Sequence, residues 1–332
     1  MREVKQIGKK NQKSGRNKTI DFTLDEGKEY FDKVIKIKES VLIQDVENKS
    51  IQGDTMEVLD LLPEKSIDLI IVDPPYNLTK NYHGKQFDKI KENDYYLFTK
   101  KWVEKAKRIL TDEGTIYVCC DWQSSLIIER VLREYFIIQN RITWQREKGR
   151  GAKTNWKNSM EDIWFATNSR NYTFNVEDVK VRKKVIAPYR VDGKPKDWDE
   201  SENGNFRNSY PSNIWTDITI PFWSMPENTA HPTQKPEKLI AKLILASSNE
   251  GDIVLDPFLG SGTTSVVAKK LNRRYIGIEM NPQYLSWAEY RLESAEVDNT
   301  IQGYTDGVFW ERNSLSDQTK KTTKKPLFDI ED

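Results

Sequence analysis

Histidine and cysteine are the scarcest chemistry in this chain of 332 residues, which has two of each. Cys119 and Cys120 are adjacent and so point to opposite faces of any strand; with only His83 and His231 beside them they make neither a disulfide framework nor a zinc site. No metal site is expected. Long apolar runs are missing too: no segment approaches the roughly 18 residues of a membrane helix, and mean hydropathy is −0.74. Met1 to Lys18 holds seven basic residues and one acid with no apolar segment behind them, so no secretory signal and no membrane association are expected, and the location expected is cytoplasmic. An excess of one charge is also lacking. Against 52 basic residues stand 51 acidic ones, a formal charge of +1 that, taken whole, argues against a nucleic-acid partner.

What is present is alternation. Short strands are predicted at 51–53, 67–72, 115–120 and 137–144, with helices at 56–62, 95–110 and 123–135 between them. The pattern resumes with helix 237–248, strand 253–256, helix 263–271, strand 275–279 and helix 283–294. Ile67 to Val72 is apolar at every position but Asp68, as expected of a parallel strand covered on both faces. Strands separated by helices predict an α/β, doubly wound sheet. Between Arg141 and Met225 the alternation fades, and six of the ten tryptophans fall in that stretch. Arg141 to Lys196 carries 14 basic and 6 acidic residues, so the near-zero total conceals a local basic excess. After Asn313 the sequence is polar and without period, and it reads as a disordered tail.

Two segments carry chemistry. Val254 to Thr264, V-L-D-P-F-L-G-S-G-T-T, sits at a strand-to-helix turn, and Glu279 ends the next strand. Glycines there let a ligand approach the backbone, while an acid one strand on can accept from ribose hydroxyls, so a nucleotide-like cofactor is implied. An ordinary glycine-rich turn would look similar, and the third glycine of the dinucleotide fingerprint is missing. The second segment is Asp73-Pro74-Pro75-Tyr76, directly after the apolar strand. Ligands of open α/β sheets bind beyond the carboxyl ends of strands. Two prolines fix the backbone, which holds the Pro74 carbonyl beside the Asp73 carboxylate as a rigid pair of acceptors. Tyr76 offers a face on which a planar base could stack.

Asp73 to Tyr76 resembles the DPPY motif of amino-group DNA methyltransferases, and Asp256 to Thr264 resembles their S-adenosylmethionine loop. His231-Pro232-Thr233-Gln234-Lys235-Pro236 is similar to the segment that leads into the helix before that loop. The order of these matches resembles the β group, whose chain is circularly permuted. The resemblance spans about 51–294 and implies a Rossmann-like, doubly wound, mixed seven-stranded sheet. Together with the composition of the two ends, which lie outside it, it divides the chain into a basic extension (1–40), a catalytic half (41–140), a target-recognition insert (141–228), a cofactor-binding half (229–300) and a polar tail (301–332).

The resemblance also assigns roles. Asp73, Pro74, Pro75 and Tyr76 would be catalytic. Asp54, Thr233, Gln234, Lys235, Asp256, Pro257, Phe258, Gly260, Ser261, Gly262, Thr263 and Glu279 would bind S-adenosylmethionine, with Glu279 on the ribose and Lys235 as countercharge of the methionine carboxylate. His231 would be structural. Lys148, Arg150 and Lys153 would contact double-stranded DNA. The reaction implied is methyl transfer to N6 of a flipped-out adenine without a covalent intermediate, and Val118, not proline, before Cys119 excludes the cytosine C5 chemistry. An N4-cytosine enzyme, a noncatalytic DNA-binding subunit and a nicotinamide dehydrogenase are the competing readings. A cognate restriction endonuclease is the implied counterpart. Monomer and homodimer remain equally compatible.

Overall fold

A computed structural model of the chain describes residues 15–78, 80–82, 85–87, 89–146, 153–185, 190–192, 194–201, 204–314 and 318. Its centre is a sheet built from Lys49–Gln52 (β1), Ile67–Val72 (β2), Leu110–Cys120 (β3), Ile137–Gln145 (β4), Met160–Thr167 (β5), Ile214–Trp215 (β6), Ile253–Asp256 (β7) and Arg274–Glu279 (β8). The order across the sheet is β1-β8-β7-β2-β3-β5-β4-β6. Neighbouring strands are parallel except where β5 pairs antiparallel with both β3 and β4, so the sheet is mixed.

Helices Thr55–Leu61 (α1), Glu92–Ile109 (α2), Ser125–Tyr135 (α3), Glu237–Ser247 (α4), Thr263–Lys270 (α5) and Pro282–Val297 (α6) connect and cover these strands. The pleat of β2 divides the core between its two faces. Leu69 and Ile71 pack with Leu239, Leu243 and Ile244 of α4 and Val266 of α5. Ile70 and Val72 face Leu59 of α1, Trp102 and Val103 of α2, and Leu132 of α3. Both faces of β2 are therefore apolar apart from Asp68, which accepts from the Ile253 amide at 2.8 Å, and this is why the rest of its sequence shows no alternation. Each such side chain contributes about 1.5–3 kcal/mol by leaving water.

Three sequence expectations change here. The sheet has eight strands rather than seven, because the two-residue strand β6 pairs parallel with β4 at its edge. The boundary at 141 falls inside β4, and residues 160–167, expected within the insert, form the sheet strand β5; Trp144 and Trp164 thus belong to the central sheet. Tertiary pairing overrides the local signal there, since β5 is held between two partners whatever its own composition suggests.

The tail expected from 301 onward is also partly folded. Val308–Trp310 pairs parallel with Val181–Lys184 in a second sheet, completed by Tyr304–Thr305 on one side and Gly204–Ser209 and Asp199–Ser201 on the other. Phe309 is fully buried, and Lys238 of α4 donates to the Trp310 carbonyl. Helix α4, buried along its whole length, carries this second sheet on the flank of the first. Within the basic extension, Phe22 and Tyr30 pack on Tyr284 and Trp287 of α6, and the Trp287 indole donates to the Phe22 carbonyl at 3.0 Å. Residues 1–14 lie outside the described part.

Candidate active site

The carboxyl ends of β1, β2, β7 and β8 share one edge of the sheet because these strands are parallel. Asp54, Asp73, Asp256 and Glu279 therefore lie at that edge, where they line a cleft of about 400 Å³. β5 runs the other way, so its first residues reach the same edge: Asp162 pairs with Cys120 at the end of β3, and Glu161 precedes it.

Asp73 sits between two donors. The Tyr76 hydroxyl donates to its Oδ1 at 2.7 Å, and the Lys235 ammonium donates to its Oδ2 at 2.6 Å. The Tyr95 hydroxyl donates to the Pro75 carbonyl at 3.1 Å, which ties the Pro-Pro turn to α2. Lys235 also lies 3.4 Å from Glu161 and 3.3 Å from the Tyr76 hydroxyl. Burial works to lower the lysine's pKa, yet the Asp73 and Glu161 carboxylates outweigh it and hold the ammonium above its ordinary value. Burial, with the Asp73 charge second, raises the Tyr76 phenol well above its usual range, so it stays a donor.

The wall opposite is the turn after β7. Asp256 accepts from the Phe258 amide at 3.0 Å and from the Thr264 hydroxyl at 2.6 Å. Burial pushes its carboxyl up to about 7. Glu279 accepts from the Gly260 and Asn281 amides at 2.9 and 2.8 Å, which fix its carboxylate against the cleft. Gly260 has φ +56°, and a Cβ there would come 3.1 Å from the His231 ring. Asp54 caps α1 by accepting from the Met56 amide at 2.8 Å.

Most of the expected site residues converge. Asp54, Thr233, Gln234, Lys235, Pro257, Phe258, Gly260, Ser261 and Thr263 line the cleft with Asp73, Pro74, Pro75, Tyr76, Asp256 and Glu279. Gly262 is the exception. It has φ +88° at the start of α5, and a Cβ would lie 2.6 Å from that of Ala288, so packing of α5 on α6 demands glycine there. The Gln234 amide is turned away, accepting from the Thr229 amide and donating to the Glu227 carbonyl, and so braces the turn before α4. Lys235 departs from its expected role: its ammonium is occupied by Asp73 and Glu161 rather than standing as a spare cation for a ligand carboxylate. His231 packs edge-on against Tyr284 with ring centres 4.4 Å apart, as a structural residue would.

Sequence reading missed Glu161, which no motif marks, and the apolar lining from Met56, Phe98, Met280, Pro282 and Tyr284. Phe98 falls within the helix predicted at 95–110, and no motif in the sequence marks it for a ligand. Cys119 and Cys120 are fully buried, and burial pushes both thiols up. Among the described residues no group of three or more His, Cys, Asp or Glu side chains could hold a metal ion.

A second cleft opens beside the first. Trp122, Gln145, Asn155, Trp156, Lys157, Asn158 and Ile214 are among its lining residues, and Trp156 is 94% exposed. Lys153 is exposed next to this cleft's loop, whereas Lys148 and Arg150 lie outside the described residues.

A family model for DNA methylases, N6_N4_Mtase, matches residues 67–290, a span that contains both the Asp73 turn and the Asp256 loop. The chain belongs to that family. Among curated proteins, the methylase is 39% identical over 254 residues to the type II methyltransferase M.HpaI of Haemophilus parainfluenzae, covering 75% of each chain. It is 36% identical to the DNA adenine methyltransferase YhdJ of Escherichia coli (strain K12), covering 80% of this chain and 92% of that one. Among solved structures, the PvuII DNA methyltransferase, described as cytosine-N4-specific, superposes with a TM-score of 0.55 at 21% identity, over 76% of the methylase and 88% of its own chain. That likeness concerns the fold. No described helix is long and apolar enough to cross a membrane.

Proposed function

We propose that the methylase transfers a methyl group from S-adenosylmethionine to the exocyclic N6 of an adenine turned out of duplex DNA. The observation that carries this reading is the Asp73 carboxylate on a rigid Pro-Pro turn, facing a cleft whose far wall holds Asp256 and Glu279. The similarity to a named adenine methyltransferase supports adenine as the base. The circularly permuted order of the β group is part of the same reading.

The residues present fit the donor. Glu279, fixed by two amides, would accept from its ribose hydroxyls. Ser261 Oγ is buried in the cleft lining with no hydrogen-bond partner among the described residues, and with Thr233 it would hold the methionine carboxylate. Phe258, Met280 and Tyr284 would cover the adenine. Asp256 would face the positive groups. When bound, the cofactor supplies an electrophilic methyl on a sulfonium.

An exocyclic amine is a poor nucleophile because its lone pair is delocalised into the ring. Asp73 and the Pro74 carbonyl would accept its two N–H bonds, bias the nitrogen toward tetrahedral geometry and free that lone pair for direct attack. Preorganised acceptors of this kind cost no rearrangement at the moment of reaction. Asp73 then receives the proton that leaves nitrogen. Turning the base out costs a few kcal/mol, part of which stacking on Tyr76 would offset.

The second cleft is the DNA-facing surface in this reading. Gln145, Asn155 and Asn158 carry amides suited to base edges, Lys153 and Lys157 would meet phosphates, and Trp156 offers an exposed ring. A cognate restriction endonuclease is the counterpart that a type II modification enzyme would have. Incubation with labelled S-adenosylmethionine and duplex DNA, followed by nucleoside digestion, tests the reading. N6-methyladenine in a fixed sequence context is expected; N4-methylcytosine, or no label, overturns it.

A further inference from the structure

Lys235 is buried with two carboxylates on one ammonium, Asp73 at 2.6 Å and Glu161 at 3.4 Å. The four charged groups form a row: Arg146, just beyond β4, binds Glu161 Oε1, Glu161 Oε2 faces Lys235, and Lys235 binds Asp73. Glu161 is 4% exposed, and its Oε2 makes no hydrogen bond shorter than this ion-pair contact. Formal charge along the row sums to zero. A buried row of this kind gives little net stability, because desolvation consumes much of the Coulomb attraction. Its effect on Asp73 is direct. A full ammonium held on the catalytic carboxylate draws off the electron density that Asp73 must offer to the target amine.

We propose that Glu161 is a positioning residue for methyl transfer: it shares the Lys235 ammonium, so that this cation does not fully neutralise Asp73, which remains a strong acceptor. This rests on the methyl-transfer reading above. Glu161 touches neither substrate nor donor and acts only through Lys235. Arg146 on its other oxygen keeps it from taking the ammonium outright. The remaining groups facing Asp73 do not replace this balance. Tyr76 donates to Oδ1 as a neutral phenol, the Cys119 thiol is kept protonated by burial, and Asp256 across the cleft is an acid.

The test is the pH profile of kcat, measured with donor and DNA saturating at each pH so that titration of Asp256 enters KM instead. In Glu161→Gln the ammonium falls wholly to Asp73. The plateau of kcat should drop about tenfold with donor KM unchanged, and the acid limb should move to lower pH. In Lys235→Met the two carboxylates face each other without a cation, so the acid limb should move up by about one pH unit or more. Adding Glu161→Gln to Lys235→Met should bring it back down. A merely structural role would lower kcat and leave the limb in place. That result, or an unchanged profile in Glu161→Gln, overturns the proposal. If Lys235→Met does not fold, as thermal unfolding would reveal, the nearly isosteric Glu161→Gln decides alone. Failure of the functional reading would look different, because the unaltered protein would then make no N6-methyladenine.

Discussion

Asp73 is the residue on which the chemistry turns. Asp73→Ala removes one of two oriented acceptors and should lower kcat about 100-fold or more. Donor binding should persist, since Asp256, Glu279 and Ser261 are untouched; equilibrium binding of S-adenosylmethionine beside a turnover assay checks both parts. Asp256 sets a pH dependence. Its carboxyl titrates at about 7 in the folded protein because burial disfavours the charge. A cationic donor favours the ionised form, so donor affinity should rise with pH up to about 7 and level off above it, by at most about tenfold per unit. Calorimetric titration across pH 5.5 to 8.5 should show this slope, and Asp256→Asn should abolish it. The same shift bears on stability: below 7 the folded state holds a proton that the unfolded chain releases nearer 4, so this group's contribution declines as pH rises between those values.

At the scale of elements, two corrections make measurable claims. Gly262 is required by the approach of α5 to α6. Gly262→Ala should therefore cost about 1–3 kcal/mol in denaturant unfolding, through its φ of +88° and the clash with Ala288. Phe309 belongs to a strand that a polar, aperiodic C-terminal stretch did not announce. Phe309→Ala should destabilise by about 3–5 kcal/mol; an unchanged unfolding midpoint would mean that the strand does not dock. Helix α4 explains why so much depends on that strand, since it lies between the two sheets and is buried on every side.

For the whole molecule, the balance of 52 basic and 51 acidic residues is a poor guide to its partner. The basic excess between Arg141 and Lys196 lies in the region that also lines the second cleft. Lys153→Ala with Lys157→Ala should flatten the slope of log affinity against log salt by about 0.9 for each phosphate that is no longer neutralised. Fluorescence anisotropy on duplex DNA between low and moderate salt measures that slope, and identical slopes would remove these lysines from the interface. Methylation itself should survive at low salt.

Local order in the chain determined much of this. Ile67 to Val72, apolar but for Asp68, reads as a doubly covered strand, and the Asp73 and Asp256 segments had to lie at its end of the sheet because strand direction fixes where loops emerge. The elements of both halves were legible for the same reason: hydrophobic period is a property of neighbours in sequence. What the tertiary structure alone decided was every relation between residues far apart. β5 is a strand because β3 and β4 flank it, the 308–310 segment is ordered because α4 and the second sheet receive it, and Gly262 is glycine because Ala288 is there. Lys235 shows the difference most clearly. The resemblance of its segment implied a cation for a ligand carboxylate, but an antiparallel strand brings Glu161 to the same edge, and an ammonium buried among carboxylates pairs with the charges nearest in space.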